Sequence, residues 1–145
     1  MYRFLEARVA DYMSSPVVTT AADTPLHELE ARFAEHDFNG FPVLDETGGL
    51  AGIVTKFDVL KVFVLTTRSV VPPYEELARR TAREIMTRDV ITFRPDTPVS
   101  RVLQTLVDFR VKSFPVVENQ RVVGIIARED ILRALHDAAA SSREP

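Results

Sequence analysis

Hydrophobic and polar positions along this chain switch between helical and strand periods. Leu26, Leu29 and Phe33 recur at helical spacing behind Asp23-Thr24-Pro25. Thr24 is placed to cap that helix, and Pro25 suits its first turn, where a missing N–H costs nothing. Asn39-Gly40 ends it. Phe41–Leu44 and Leu50–Val54 read as strands around an Asp45–Gly49 turn, an antiparallel hairpin. Thr55 opens a second helix that runs to about Leu65. Upstream, residues 1–10 set Phe4, Leu5 and Val9 among charges, which predicts a short helix or arm. Val17-Val18-Thr19-Thr20 is a short β-prone run.

The pattern then occurs again. At a shift of 73, Met13 meets Met86, Val17 meets Val90, and Thr19 meets Thr92. Asp23-Thr24-Pro25 meets Asp96-Thr97-Pro98, and Phe41-Pro42-Val43 meets Phe114-Pro115-Val116. One residue is lost after Glu118, so at a shift of 72 Gly52-Ile53 meets Gly124-Ile125, Asp58 meets Asp130, and Leu60 meets Leu132. The second copy predicts a strand at Val90–Thr92, a helix from Pro98 to about Phe109, strands Phe114–Val117 and Val122–Ile126, and a helix from Arg128 to about Ala139. Residues 7–65 and 82–139 are thus two repeats joined by a 66–81 linker. In the linker, Pro72-Pro73 stops helix growth, and Tyr74–Arg80 is a short helix. The tail Ser141–Pro145 is expected to fray.

Each copy reads as strand, helix, two strands, helix: an α+β unit of βαββα order. The strands are apolar on both faces (Phe41, Val43, Leu44; Val122, Val123, Ile125, Ile126), so both faces of each sheet must be covered. One copy's helices cannot do that. Two copies packed sheet to sheet, with helices outside and pseudo-two-fold symmetry, can. Neither half is expected to fold alone.

Composition narrows the function. A chain of 145 residues can bury a sizeable core, and 46% hydrophobic with 27% charged residues is ordinary for a globular protein. The net charge of −3 with no basic run gives no push toward nucleic acid. The chain has no cysteine, which removes disulfide and thiolate chemistry and fits the cytoplasm. No run is long enough to span a bilayer. His27, His36 and His136 are far apart and lack metal-ligand spacing. No nucleophile triad or phosphate-binding glycine loop is visible, so an enzyme is not expected.

The tandem order M-x-x-x-x-V-x-T, D-T-P, F-P-V and G-I-x-x-x-x-D resembles the CBS domain pair, or Bateman module, over roughly Ala7–Ala138. With no catalytic or membrane segment in the sequence, the resemblance is to a stand-alone member. It implies a regulatory, non-catalytic module. It also implies a cleft for AMP, ADP, ATP or S-adenosylmethionine as regulatory ligand, and a homodimer that signals to an effector protein. In the family an Asp at the start of the last helix holds the ribose, and adenine stacks near the first strand and the x-P-V segment. Carried onto matching positions, the first site is Asp58, Thr55 and Lys56, with Val17 and Val18 beside the adenine and Asn39, Phe41 and Pro42 facing it. The second is Asp130, Arg128, Lys112, Ile91, Phe114 and Pro115.

The copies differ. Gly52-Ile53-Val54-Thr55-Lys56-Phe57-Asp58 matches the family motif in full. In the second copy Ala127 replaces the hydroxyl residue, and Glu129 adds negative charge where a phosphate would sit, with Arg128 and Lys112 to compensate. The first site therefore ranks above the second. Gly52 admits close approach of a ligand or of a neighbouring strand. Thr55-x-x-Asp58 is also a capping-box variant, and the two roles can coexist. Asp130 persists without its Thr partner, which leans toward ligand contact. The helix at Val59–Leu65 is apolar on nearly every face, which makes Phe63 and its neighbours either a dimer interface or a surface covered by the linker. The alternative to a ligand sensor is a ligand-free interaction module with vestigial clefts.

Overall fold

A computed structural model describes residues 2–64 and 74–142. The Pro72-Pro73 stop, Leu65 and the tail beyond Ser142 lie outside the described residues.

The elements run α1 (Tyr2–Glu6), α2 (Val9–Tyr12), β1 (Thr20–Ala21), α3 (Leu26–Glu35), β2 (Gly40–Leu44), β3 (Leu50–Thr55), α4 (Lys56–Val62), α5 (Tyr74–Ala78), α6 (Ala82–Ile85), α7 (Val99–Phe109), β4 (Ser113–Glu118), β5 (Arg121–Ala127) and α8 (Arg128–Ser142). The architecture is α+β. The chain divides into two compact units, and their boundaries are not those of the repeats. One unit is residues 18–90; the other joins residues 1–17 to residues 91–145.

In the 18–90 unit the sheet order is β1-β2-β3, with β1 parallel to β2 and β2 antiparallel to β3. The hairpin turn is held by the Asp45 carboxylate, which accepts from Thr47 N–H and Gly49 N–H, both at 2.9 Å. Ala22, Leu26, Leu29, Val43, Val54, Val59, Ala82 and Met86 form its core. The last two come from α6 and the residue that follows it, the opening segment of the second repeat. That segment is fixed by backbone bonds: Ala82 N–H to Thr24 O at 2.8 Å, Arg83 N–H to Ala22 O at 2.9 Å, and a reciprocal pair between Ile53 and Thr87, both 2.9 Å.

The other unit uses the same devices with the opening segment of the first repeat. β4 and β5 form an antiparallel hairpin whose two turn residues, Asn119 and Gln120, both have positive φ, at 52° and 65°. Both hairpins break register at the equivalent point, Val43/Leu44 and Val116/Val117. Val9 N–H donates to Thr97 O at 2.9 Å, and Ser14 N–H to Ile125 O at 2.8 Å. The core comprises Phe4, Val9, Phe93, Val99, Val102, Phe114, Val116, Ile126, Ile131, Ala134 and Ala138.

Several expectations shift. The first strand is Thr20–Ala21, later than Val17–Thr20, because only those residues reach β2, in register with Val43 and Leu44. Its counterpart near Val90–Thr92 is reduced to a single parallel bridge, Phe93 to Val116. Thr24 does not cap α3. Its hydroxyl pairs with that of Thr20 at 2.9 Å, and Pro25 is the cap residue with no side-chain bond. The exposed donor at Leu26 is satisfied instead by Arg80 O at 2.7 Å, and the equivalent Val99 N–H by Ala7 O at 3.0 Å. The short helix expected over residues 1–10 is two pieces, α1 and α2, and the one-turn α6 is too short to show a period in the sequence. α4 stops at Val62, and α8 continues to Ser142.

Candidate functional site

β3 delivers Thr55 in extended geometry (φ −106°, ψ 165°) to the start of α4. Its hydroxyl accepts Asp58 N–H at 3.2 Å, while Asp58 Oδ2 accepts Thr55 N–H at 2.9 Å and the Thr55 hydroxyl proton at 3.0 Å. The capping box is therefore complete. A hydroxyl has one proton to give, so that of Thr55 is already committed.

The two carboxylate oxygens of Asp58 differ. Oδ2 is saturated by the cap. Oδ1 faces Lys61 Nζ at 3.2 Å and Thr87 Oγ1 at 3.5 Å. The Asp58 side chain is 3% exposed, that of Lys61 52%. One buried oxygen is thus held by a solvated, flexible cation and a long hydroxyl contact.

Thr87 reaches this point because Gly52 leaves room. A Cβ on Gly52 would lie 2.5 Å from Thr87 O and 2.8 Å from Met86 Sδ. Of the two readings of that glycine, close approach of a neighbouring segment is the one seen. Sequence reasoning missed Thr87. The signal was a hydroxyl residue after the repeated methionine, Met13-Ser14 and Met86-Thr87. Met86 itself is buried in the core.

The second site has the same plan with fewer bonds. Asp130 Oδ2 accepts Ala127 N–H at 2.8 Å, and Oδ1 pairs with an Arg133 nitrogen at 3.2 Å. Asp130 therefore caps its helix without a Thr partner, which gives its persistence a structural reason. Arg133 also donates to Tyr12 O at 2.9 Å and lies 5.4 Å from that ring's centre. Burial pushes the Asp130 carboxyl above its ordinary value, against the opposing pull of Ala127 N–H and Arg133. Gly124 is as crowded as Gly52: a Cβ there would lie 2.7 Å from Met13 Sδ and 2.9 Å from Ser14 O.

The remaining sequence candidates are placed as follows. Lys56 Nζ stands 3.8 Å from Asp37, and Lys56 N–H donates to Asn39 O at 3.3 Å. At equivalent positions Arg128 Nε is 3.4 Å from Glu129, and Arg128 N–H donates to Lys112 O at 3.1 Å. Phe41 and Phe114 are buried, packed edgewise or tilted against Phe33 and Phe93. Pro42 and Pro115 are buried with them. Val18 shares a unit with Asp58, whereas Val17 and Ile91 share one with Asp130. Phe63 stacks on Tyr74 of the linker helix at 5.7 Å, while Phe57, Leu60 and Val64 are each about two-thirds exposed.

Among the described residues, no group of three or more His, Asp or Glu is arranged to hold a metal, and no helix is long and apolar enough to cross a membrane. A groove of about 650 Å³ lies between α1, α2 and α8, lined by Arg3, Glu6, Tyr12, Arg133, Asp137 and Ser141 among others.

The CBS domain pattern matches residues 9–65 and 82–137. The chain belongs to the CBS domain family and carries two such domains. A CBS domain pair crystallised with 5′-methylthioadenosine and S-adenosyl-L-methionine is 32% identical, with a TM-score of 0.75, covering 91% of this chain and 98% of that one. The protein CBSX2, crystallised with AMP, shares the fold at 20% identity and a TM-score of 0.77, covering 91% of this chain and 98% of that one. L-aspartate semialdehyde sulfurtransferase of Methanocaldococcus jannaschii is 34% identical over 86% of this chain, which spans 22% of that enzyme's length.

Proposed function

We propose that the protein is a regulatory module that binds an adenosine-containing ligand and reports it to a partner by a change of conformation. The observation that carries this reading is the divided carboxylate of Asp58. One oxygen builds the helix start; the other is buried, charged, and held, among the described residues, by Lys61 and Thr87. Vicinal ribose hydroxyls are the kind of donors that can replace such partners. A neutral-donor bond to an ionised acceptor in a buried setting is worth about 1.5–3 kcal/mol. The Thr55 hydroxyl, whose proton is committed, is left to the helix cap. The likeness to a pair that binds S-adenosylmethionine and 5′-methylthioadenosine supports the same ligand class here. A ligand shifts the module only by its differential affinity for two states.

Titration calorimetry with S-adenosylmethionine, 5′-methylthioadenosine, AMP, ADP and ATP tests this. Asp58→Asn keeps an acceptor for the cap and removes the charge. It should weaken binding of at least one of these compounds by roughly 10- to 150-fold. Equal affinity of the variant for every compound that binds wild type removes Asp58 from the site.

A second reading has its own observation. Phe57 and Leu60 on α4, and Val64 just past its end, are exposed to solvent at 68%, 66% and 65%. A stripe of this kind fits a homodimer interface. Sedimentation of wild type and Leu60→Glu decides it: a dimer that becomes a monomer supports the interface, and a wild-type monomer ends it.

A further inference from the structure

The two sites carry different charge at equivalent positions. At the first, Lys56 is paired with Asp37 at 3.8 Å, and the neighbouring positions are Asn39 and Phe57. Their counterparts are Arg128, Arg110, Lys112 and Glu129. Arg128 is paired with Glu129 at 3.4 Å, which leaves Arg110 and Lys112 as surplus. Lys61 and Arg133 offset Asp58 and Asp130 alike, so they do not change the comparison. The first site is left neutral and the second with two positive charges.

Both surplus cations stand on fixed backbone at the second site. Lys112 O receives the first N–H of α8 at 3.1 Å, and Arg110 ends α7 in a left-handed turn closed by its own N–H to Leu106 O at 2.9 Å. Both residues are exposed. The ribose grip differs in the opposite sense. Lys61 and Arg133 are both about half exposed and each lies over a ring, Phe57 and Tyr12 respectively, but Arg133 is also bonded to Tyr12 O at 2.9 Å and gives up more when displaced.

We propose that the Asp130 site selects an adenosine compound that carries a phosphate, and the Asp58 site one that does not. This rests on the adenosine-binding function proposed above. A phosphate close to two added positive charges gains most at low salt and keeps part of that gain at physiological salt. A phosphate-free or sulfonium compound gains nothing from them, or is repelled.

The test is calorimetry on the full chain with AMP and with 5′-methylthioadenosine, at low and physiological salt. Variants are Arg110→Gln with Lys112→Gln, Asp130→Asn and Asp58→Asn. The paired charge variant should bind AMP about fivefold more weakly at physiological salt and up to about fiftyfold at low salt. Its affinity for 5′-methylthioadenosine should stay within about twofold, since that ligand carries no phosphate for the lost charges to attract. Loss of 5′-methylthioadenosine binding should follow Asp58→Asn, and loss of AMP binding should follow Asp130→Asn. AMP affinity unchanged in the charge variant, or lost only through Asp58→Asn, overturns the assignment while leaving the function intact. Failure of both compounds to bind wild type overturns the function itself.

Discussion

Replacing Gly52 by Ala tests whether each compact unit is completed by the other repeat's opening segment. The new methyl would sit 2.5 Å from Thr87 O, a backbone atom that cannot turn aside as a side chain can. Overpacking of this kind costs about 1–3 kcal/mol. If the strand segment moves away, the reciprocal Ile53–Thr87 bonds at 2.9 Å go with it, at about 1 kcal/mol each. Against this, Ala restricts the unfolded chain and returns about 0.4–1 kcal/mol. The net expectation is a loss of about 2 kcal/mol, read as a lower urea midpoint with unchanged slope. Gly124→Ala should behave alike, since its methyl would meet Ser14 O at 2.9 Å. Gly49→Ala is the control: its nearest neighbour is Asp45 Oδ2 at 3.3 Å, a side-chain atom that needs to shift only a few tenths of an ångström while Oδ1 keeps the turn bonds, so a change within about 0.5 kcal/mol is expected. If Gly52→Ala is as stable as the control, Thr87 does not lie against β3 and the account of the Asp58 site fails with it.

Two further outcomes follow from the same architecture. A fragment of residues 18–90 contains β1 to α6 and the whole of its core, so it should melt cooperatively by circular dichroism, whereas the equally long fragment 1–73 lacks Ala82 and Met86 and should not; the reverse result would refute the division into units. Because burial raises the Asp130 carboxyl above 3.8, the folded chain binds that proton more tightly than the unfolded chain. The stability so gained is complete below that value and is lost as pH rises through the folded value. Asp130→Asn should therefore gain on wild type in melting temperature as pH rises from below 3.8 through the raised folded value, and a flat or opposite trend speaks against the burial.

The duplicated motifs made the family, the hairpins and the helix-start carboxylates legible, because each depends on local chemistry: a turn residue, a period, a cap. Thr55 and Asp58 could be paired from their spacing alone. What spacing could not show was which copy of the opening segment lies beside which sheet. Ser14 and Thr87 occupy equivalent positions in the sequence, and only long-range backbone pairing sends Thr87 to Asp58 and Ser14 to Ile125. The linker reading was half legible. Tyr74 does fold onto Phe63, yet it leaves Phe57, Leu60 and Val64 in solvent, because one aromatic side chain cannot cover the whole of α4 and the residues just past its end.

The arrangement of α1 and α8 bears on how such a module can be wired to other proteins. The two helices pack together, and Arg3 donates to the Ser141 hydroxyl at 3.0 Å. Residues 1–17 and 91–145 therefore belong to one unit, and residues 18–90 between them form the other. A body whose entry and exit points adjoin fits into a surface loop of a host without stretching it. Fluorophores at the α1 and α8 ends would lie close together, and a ligand that alters the packing of these two helices would register as a change in a short-range distance.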